Sequence, residues 1–393
     1  MRPLRVVLVM IEPPLPFGNA AARWFYVSLR GLVERGHHVT AFAACGKPAE
    51  VEASRDLFPG PQYDFRPYPI EPDRRLSARL RTLSRPFSYM FSERLRTDLA
   101  ATLAGGFDVL HLEQLWSGWL GLDHIDRTLV NVHYLLGIDL EATPPSGLGD
   151  RKDRILGLSA ERRLIRRYRH LRACTPRLEE SLRLLNPSAE VSTVPFGIDT
   201  TLYPFIPAER RQGPPTLTLI GSMNWGPSRS AAERLLTRLW PAIKARVPDV
   251  RLTIVGWQAR QALAGYLDLP DVTVLENVPE TRPYFEATSV FLYAPGRGSG
   301  MKIKIQEAMA YGVPVVTTSE GVEGLPAVDG VHAGICEDDD GLIERTVGLL
   351  RDFERQETLR RSARTLIESH CGPKPTVDAI ESLHAAIARN GRA

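Results

Sequence analysis

A loop of small residues followed by two lysines is the segment of this sequence best suited to bind an anion. Glycines occupy alternate positions over residues 296–300, directly after the strand-like apolar run 289–294. Glycine allows the sharp turns that bring backbone amides close to a ligand. A helical pattern begins near Lys302, so its free N–H groups and the positive end of its dipole point back at the loop. Lys302 and Lys304 add positive charge in the first turn, and we expect an anion there.

Glu307 lies near the second turn of the same predicted helix. A carboxylate here accepts hydrogen bonds from paired hydroxyl groups, and phosphates beside a diol indicate a nucleotide. Two interpretations fit: dinucleotide binding and glycosyl-nucleotide binding. The dinucleotide fingerprint GxGxxG normally comes early in a chain, with an acidic residue about 20 positions later. The segment GRGSGM, which begins at Gly296, comes late and has no glycine at its sixth position.

The composition is that of an ordinary globular protein with more than one domain. The chain has 393 residues, of which 43% are hydrophobic and 24% charged, so it can bury substantial cores. This length predicts two domains. A net charge of +3 is too small to favour nucleic acid as the main partner. The cysteines are scattered without a CxxC pair, and they support neither a zinc site nor a disulfide framework.

The elements that must position the glycine loop are strands alternating with helices. The apolar run from Leu4 to Ile11 is too short to span a membrane and has no small-residue cleavage site, so we expect a buried parallel strand and a cytoplasmic protein. A helical pattern from Ala20 to Glu34 and a second apolar run over 39–43 follow it. This β-loop-α-β order is the opening of a doubly wound sheet.

The same plan restarts after Gly213-Pro214-Pro215, which marks a boundary. We expect an α/β protein with two Rossmann-like, doubly wound domains and a ligand cleft at the carboxyl ends of their strands. The predicted domains are residues 1–205 and 206–372, with a C-terminal helix over 373–393 that returns toward the first domain.

Two stretches are rich in arginine. Five arginines lie between Arg74 and Arg85, and nine basic residues lie between Arg151 and Arg172. The second stretch predicts an amphipathic helix with Leu164, Tyr168 and Leu171 on one face. A solvated surface explains these charges, and so does contact with an anionic membrane or a phosphorylated acceptor.

Several motifs together resemble the GT-B glycosyltransferases of the retaining family 4 group. Residues 35–39, RGHHV, are similar to the family's RGHxV turn, and 195–199, PFGID, to its PNGxD element. Asn131-Val132-His133 resembles the strand end that carries an active-site histidine. Residues 307–316, EAMAYGVPVV, nearly repeat the specific family motif EAMAxGxPVV. The resemblance covers most of the chain, and it implies transfer of a sugar from a nucleotide donor.

The sequence also departs from the family pattern. The family has two glutamates eight positions apart, and Ser299 stands where the first is expected. The second-domain loop reads GSMNWGP from Gly221, without the family's usual arginine and lysine. It is similar to a sub-group in which a later lysine, here Lys304, supplies the phosphate cation. How the donor hydroxyl groups are recognised without this glutamate stays open.

The resemblance and the residues together define a predicted site. His133, Lys304 and Glu307 are the predicted catalytic residues: Lys304, before Lys302, stabilises the diphosphate, Glu307 holds the ribose, and His133 contacts the transferred sugar. Gly18 and Asn19 form an acceptor or phosphate loop or a simple turn. Trp225 is a candidate platform for base or sugar, and Glu113 is a weaker candidate for acceptor binding. The predicted donor-binding residues are Gly221, Ser222, Gly298, Ser299, Gly300, Met301, Lys302, Lys304 and Glu307.

We therefore expect a hexosyltransferase-like enzyme that moves a sugar from a nucleoside diphosphate sugar to an acceptor hydroxyl, in glycan or glycosylated-metabolite biosynthesis. Retention through same-face attack is implied by the resemblance, and no carboxylate pair marks the covalent alternative. No strand-borne DxD motif occurs, so we predict metal independence and no cofactor besides the co-substrate. The acceptor is a lipid-linked glycan or a small molecule, and peripheral contact with the inner face of the membrane stays open. The alternatives are a non-catalytic nucleotide-sugar-binding paralogue, for which Ser299 argues, and an epimerase or hydrolase on the same fold.

Overall fold

The structure is a computed structural model that describes residues 2–55, 57–58, 60–70, 81–141, 145, 147–211 and 213–390. Most of the first arginine-rich stretch, residues 74–80, lies outside the described residues. So do parts of 46–86 and 142–157, the variable loops of the first domain in which we expect the acceptor pocket. The chain divides into two compact units. The first unit is Met1–Asp199 together with Pro373–Ala393, and the second unit is Thr200–Gly372.

The first unit contains a parallel sheet of seven strands in the order β3-β2-β1-β4-β5-β6-β7. Its central strand β1 is buried at five of six positions, as its continuous apolar run predicts. Val6 pairs with Val39 on one side and with Val109 on the other. The strands are β1 (Arg5–Met10), β2 (His38–Cys45), β3 (Tyr63–Pro69), β4 (Val109–Glu113), β5 (Thr128–Val132), β6 (His170–Ala173) and β7 (Glu190–Thr193).

The second unit contains a parallel sheet of six strands in the order β10-β9-β8-β11-β12-β13. The central strands β8 and β11 pair through Leu217 and Val290, both buried. The strands are β8 (Thr216–Ile220), β9 (Arg251–Gly256), β10 (Val272–Glu276), β11 (Val290–Tyr293), β12 (Val315–Thr317) and β13 (Gly334–Ile335). Two parallel α/β sheets and their helices confirm the predicted fold class.

Helices connect the strands of both sheets. In the first unit they are α1 (Ala20–Glu34), α2 (Pro48–Arg55), α3 (Glu93–Ala104), α4 (Leu136–Asp139), α5 (Leu148–Ile165) and α6 (Pro176–Leu185). In the second unit they are α7 (Gly226–Arg234), which continues through a π-helical turn (Leu235–Leu239) into α8 (Trp240–Arg246), then α9 (Ala259–Ala262), α10 (Arg282–Glu286), α11 (Ile303–Tyr311), α12 (Asp339–Arg351) and α13 (Phe353–Cys371).

The last helix, α14 (Pro373–Asn390), belongs to the first unit and packs along α1. Arg35, which caps the end of α1, donates to Asp378 and Glu381 of α14 at 2.5 Å each. Glu381 also lies 3.0 Å from the ring of His37. Side-chain contacts with α14 therefore hold the turn RGHHV that follows α1.

The structure corrects the predicted amphipathic helix over the second arginine-rich stretch. Helix α5 ends at Ile165, and Leu171 lies on β6, whose four residues are all buried between β5 and β7. Tyr168 lies in the connection and donates to the carbonyl of Gly118. Pairing within the sheet overrides the helical spacing of these apolar residues. Strands β3 and β13, each at an edge of its sheet, are additional to those predicted.

Candidate functional site

Both sheets place their first strand between their second and fourth strands, and this is where the direction of chain progression reverses. Ligands of open α/β sheets bind at the carboxyl ends of the strands beside such a point. In the second unit the point lies between β8 and β11, and in the first unit it lies between β1 and β4. The predicted donor-binding residues follow β8 and β11, so the sheet gathers them at one edge.

Backbone hydrogen bonds hold the loop after β8. Gly221 donates its N–H to Val255 at 2.9 Å, and Met223 donates to Trp257 at 3.0 Å. A Cβ atom on Gly256 would lie 1.8 Å from the carbonyl oxygen of Gly221. Only glycine fits at position 256, because any side chain would push the two strand ends apart.

Lys304 lies against this loop and is surrounded by neutral groups. Its Nζ donates to Ser228 Oγ at 2.5 Å and lies 3.4 Å from the hydroxyl of Tyr293. The ammonium also sits over the rings of Trp225, at 4.7 Å, and Tyr293, at 4.6 Å. A Cβ on Gly221 would approach Nζ to 3.0 Å, so the glycine keeps the loop close to the charge. We call these five residues the Lys304 cluster.

The charge of Lys304 has no carboxylate partner among the described residues. Desolvation, reinforced by the charge of Lys302, lowers the pKa of Lys304 to about 7. A cation that is desolvated beside hydroxyls and aromatic faces is costly unless a counter-charge arrives. An anion bound at the cluster would supply that charge and raise the pKa again.

Two helices begin beside the cluster without a side-chain cap. Helix α7 begins at Gly226, directly after Trp225, and helix α11 begins at Ile303, directly before Lys304. The side chain of neither Ncap residue, Trp225 or Lys302, accepts a hydrogen bond from the first turn. Helix N-termini carry partial positive charge and unsatisfied N–H groups. The sequence-predicted anion site therefore has two helix ends beside it as well as a lysine.

The glycine loop differs in detail from the predicted phosphate cradle. The N–H of Gly298 donates to Glu320 Oε2 at 3.3 Å, and Lys302 pairs with Glu323 at 3.1 Å while donating to the carbonyl of Gly300 at 2.6 Å. Two carboxylates from the loop after β12 thus hold this segment, and Lys302 is already neutralised. The geometry favours Lys304 as the phosphate cation, in the order that the sequence analysis expects.

The remaining residues of the predicted donor set lie around these groups. Ser222 is exposed next to Gly221, whereas Ser299 and Met301 are buried. Glu307 lies on α11 three residues after Lys304, which places both on one helix face. Its carboxylate accepts from the hydroxyl of Tyr203 at 3.3 Å. A ligand held by Lys304 and Glu307 would extend along that face by about one helical turn, roughly 5 Å.

A second group of polar side chains lies at the carboxyl ends of β4, β5 and β6 in the first unit. Glu113, the last residue of β4, is fully buried. Trp24 Nε1 donates to its two oxygens at 3.1 and 3.0 Å, Asn131 Nδ2 donates to it, and His133 Nε2 lies 3.3 Å away. Desolvation opposes its charge, but His111 at 3.5 Å and these donors outweigh it and hold the pKa of Glu113 at about 2.

Arg172 supplies the opposite charge in this group. It donates to Asn131 Oδ1 at 2.6 Å and to the carbonyl of Val194, and its guanidinium lies over the rings of Trp24, at 4.0 Å, and Phe196, at 4.9 Å. Desolvation lowers its pKa to about 10, so it stays protonated at neutral pH. Asn131 bridges the carboxylate and the guanidinium. We call Glu113, Asn131, His133 and Arg172 the buried polar cluster.

His133 is the member of this cluster that the sequence singles out. Its ring packs edge-on against Phe196, with centroids 4.7 Å apart. Desolvation lowers its pKa, so the ring is neutral at pH 7. The ionised Glu113 is an acceptor only, so the neutral ring places its proton on Nε2 and leaves Nδ1 as an acceptor. Glu113 is therefore a buried partner of His133, which corrects its interpretation as an acceptor-binding residue of the cleft.

Gly18 and Asn19 form the start of α1. Gly18 adopts a φ of 89°, and the side chain of Asn19 caps the helix by accepting from the N–H of Ala22 at 3.0 Å. Asn19 also donates to Glu12, and desolvation raises the pKa of Glu12 to about 7. This helix end already has its own cap. The geometry explains both residues as a turn and cap, and their contact with a ligand stays a prediction.

Sequence reasoning missed several residues of both clusters. A usable signal existed for Arg172, because a charged residue inside the short apolar strand HLRA implies a buried partner. Ser228 and Tyr293 of the Lys304 cluster carry no such signal, nor does Glu320 of the loop after β12. Their roles depend on the pairing of β8, β11 and β12, which brings their loops together.

Among the described residues, no group of three or more histidine, cysteine, aspartate or glutamate side chains is arranged to hold a metal ion. Aspartates 338–340 begin α12, and Asp338 caps it by accepting from Gly341 at 2.8 Å. None of the described helices combines the length and apolar character that a transmembrane span requires.

Comparisons with known protein families cover most of the chain. Residues 21–197 match the family model described as glycosyl transferase 4-like domain, and residues 214–352 match the model described as glycosyl transferases group 1. A curated relative, an uncharacterized glycosyltransferase of Haemophilus influenzae, is 31% identical over 97 residues. That alignment spans 23% of this chain and 27% of the relative, about a quarter of its length.

Solved structures show a similar fold over nearly the whole chain. Sucrose-phosphate synthase from Thermosynechococcus elongatus superposes with a TM-score of 0.74 at 16% identity, covering 98% of this chain and 99% of that one. HepE of Anabaena, solved in complex with UDP-glucose, superposes with a TM-score of 0.68 at 12% identity, covering 97% of this chain and 100% of that one.

Proposed function

Because the chain belongs to the GT-B glycosyltransferases, we propose that it moves a sugar from a nucleoside diphosphate sugar to an acceptor hydroxyl, as a hexosyltransferase with retention. The matches to both family models support sugar transfer as the activity, and the family 4 resemblance is consistent with them. The observation that supports the donor class is Lys304, a desolvated cation without a carboxylate partner in the described chain, between two uncapped helix ends. The similar fold of HepE in complex with UDP-glucose adds to this support.

In this proposal the diphosphate binds at the Lys304 cluster. Its negative charge grows as the bond to the sugar breaks, and preorganised cations and N–H groups aimed at that charge lower the barrier. The nucleoside diphosphate leaves as a stable anion, so it needs no strong acid. Glu307, one turn along α11, accepts hydrogen bonds from the hydroxyl groups of the ribose.

His133 keeps the role that the resemblance implies, contact with the transferred sugar. Its neutral ring, held by Glu113, presents Nδ1 as an acceptor for a sugar hydroxyl or for the partial positive charge of the sugar ring. The acceptor hydroxyl attacks on the face from which the diphosphate leaves and passes its proton to the departing diphosphate oxygen, so the configuration is retained. The reaction needs no divalent cation, and donor affinity unchanged by a chelator is the expected result.

The test is thermal stabilisation of the second unit by UDP, GDP and ADP and by their sugar derivatives. A ligand at 100 times its Kd stabilises the folded state by about 2.7 kcal/mol, which is roughly 5–10 °C for a unit of this size. We expect one base to shift the wild type and to leave Lys304→Met unshifted, and Glu307→Gln to respond weakly. Lys244→Met removes a lysine that pairs with Asp271 in the same unit and is the matched control. No shift in the wild type, or equal shifts in Lys304→Met, would sink the proposed donor site.

We also propose that the exposed face of α5 and the turn after it contact an anionic membrane. Arg162, Arg163, Arg166 and Arg167 are exposed residues, and none of them forms an ion pair within the described chain. Ile155, 63% exposed, lies on the same helix. Basic and apolar groups on one helix face fit lipid headgroups.

Sedimentation with vesicles measures this contact. We expect binding to vesicles of anionic phosphatidylglycerol and none to neutral phosphatidylcholine. Each arginine near an anionic surface contributes about 1 kcal/mol, so changing all four to glutamine lowers the affinity by at least roughly 100-fold. Equal binding to both vesicle types, or an unchanged quadruple variant, would contradict the proposal.

A further inference from the structure

We infer that Glu320 supplies the carboxylate that reads the hydroxyl groups of the donor sugar, in place of an acidic residue at position 299. The inference rests on the proposed donor site and adds a specificity-determining residue to it. Ser299 is buried and carries no charge. The N–H of Gly298, one residue earlier, donates to Glu320 Oε2 at 3.3 Å. A carboxylate therefore lies beside the loop segment that contains position 299.

The topology explains how a residue more than 20 positions away reaches this point. Strands β11 and β12 are neighbours in the sheet, with Tyr293 paired to Thr317. The glycine loop follows β11 and the loop bearing Glu320 follows β12, so both leave the same edge of the sheet side by side. Lys302 and Glu323 join the same two loops a second time, through a buried ion pair at 3.1 Å.

Electrostatics divides the site into two sides. On the side of β8, the Lys304 cluster and the ends of α7 and α11 carry positive charge without a carboxylate in contact with Lys304. On the side of β12, Glu320 and Glu323 carry negative charge, and Glu323 is paired with Lys302. A diphosphate next to Glu320 would be repelled, so the phosphates belong at Lys304. The neutral hydroxyl groups of the sugar are the donor groups that a carboxylate accepts well.

This division also explains why the N–H of Gly298 is unsuited to the phosphate cradle that the sequence predicts. Its hydrogen bond goes to a carboxylate, which fixes the oxygen atoms of Glu320 at the loop. A carboxylate oriented in this way is preorganised for a sugar and loses little freedom when it binds one.

The experiment compares each nucleoside diphosphate with its own sugar derivative by calorimetry: UDP with UDP-glucose, GDP with GDP-mannose, and ADP with ADP-glucose. The variant is Glu320→Gln, whose amide oxygen can still accept from Gly298 while the charge is removed. We expect the Kd of the bare diphosphate to stay the same or to fall, since a nearby negative charge is gone. We expect the preference for the sugar derivative over the bare diphosphate to drop by roughly tenfold, the scale of a hydrogen bond to a charged group.

Glu323→Gln is the matched control, because it removes a carboxylate of the same loop that serves Lys302. It should leave the preference for the sugar derivative unchanged. An unchanged preference in Glu320→Gln, or equal weakening of diphosphate and sugar derivative, would overturn the inference while the donor site stands. Failure of every diphosphate to bind the wild type is a different result: it would overturn the proposed function, and this inference with it.

Discussion

The two units share a strand order but differ in how their buried charges are compensated. In the first unit the buried polar cluster pairs Glu113 with Arg172 through Asn131. In the second unit Lys304 is surrounded by hydroxyls and rings and has no carboxylate partner in the described chain. Hydrogen-bonded buried charges of opposite sign fix the orientation of one another. A buried charge without a counter-charge gains stability only when a ligand supplies one, which is the property of a binding site.

The helix ends repeat this difference. Helix α1 of the first unit is capped by the side chain of Asn19, whereas α7 and α11 of the second unit have no side-chain cap. A side chain thus occupies an N–H group at the start of α1, and none does so at the starts of α7 and α11. Similar topology alone would not separate the two roles, and the caps and counter-charges do.

The largest expected effect is the loss of stability when the positive charge of the buried polar cluster is removed. Arg172→Met keeps the side-chain volume but leaves Glu113 charged and buried, and removing one partner of a buried charge pair typically costs about 3–5 kcal/mol. Hydrogen exchange of the amides in β4 and β5 measures this loss separately from β8 and β11 of the second unit. Arg229→Met, which removes an exposed ion pair with Glu233, should cost less than about 1 kcal/mol. A loss below that of the control would show that the cluster is not a charge network.

A smaller effect follows from the pKa of Lys304. The ammonium must be protonated to bind the diphosphate, and with a pKa of about 7 in the free protein it loses its proton as the pH rises through neutrality. Affinity for a nucleoside diphosphate sugar should therefore fall above pH 7 by up to about tenfold per pH unit, the slope for one linked proton. The diphosphate of such a donor has no proton of its own near pH 7, so the titration reports the protein. Calorimetry from pH 6 to 9 measures it, and a flat profile would contradict this role for Lys304.

The smallest effect tests the difference in capping. Asn19→Ala removes the cap of α1 and should cost about 1 kcal/mol of stability, the usual value of an N-cap, with no change in nucleotide affinity. Asp338→Ala removes a cap of the second unit at α12 and should do the same. Thermal unfolding with and without the nucleotide separates the two readouts. Weaker nucleotide binding by Asn19→Ala alone would restore Gly18 and Asn19 as a ligand loop.

The sequence predicts the fold well because both sheets consist of continuous apolar runs between polar turns. The runs at Leu4–Ile11 and 289–294 lie on central strands, where burial on both faces leaves a clear pattern. Prediction fails at the edge strands β3 and β13 and at β6. The half-exposed strand β3 has no such pattern, and β6 follows a helix whose apolar spacing continues into it.

The sequence predicts the type of ligand that the candidate site binds, but not which residues pair with its charged side chains. Glycines and lysines before a helix indicate an anion site, and a family motif selects Lys304 and Glu307. The difference between Lys304 and Lys302 cannot be read from spacing, because it depends on Glu323, which arrives from another strand. The same holds for Glu113 and Arg172, whose charges meet only after β4, β5 and β6 have paired.

The contact between Gly256 and Gly221 has a practical consequence for engineering. The loop that faces Lys304 takes its position from a backbone-to-backbone contact, in which a Cβ would come within 1.8 Å of an oxygen. Libraries aimed at new donor preferences should therefore keep position 256 constant and vary the exposed Ser222 and the half-exposed Trp225. Substitutions at 256 would fill such a library with inactive members for a reason unrelated to donor chemistry.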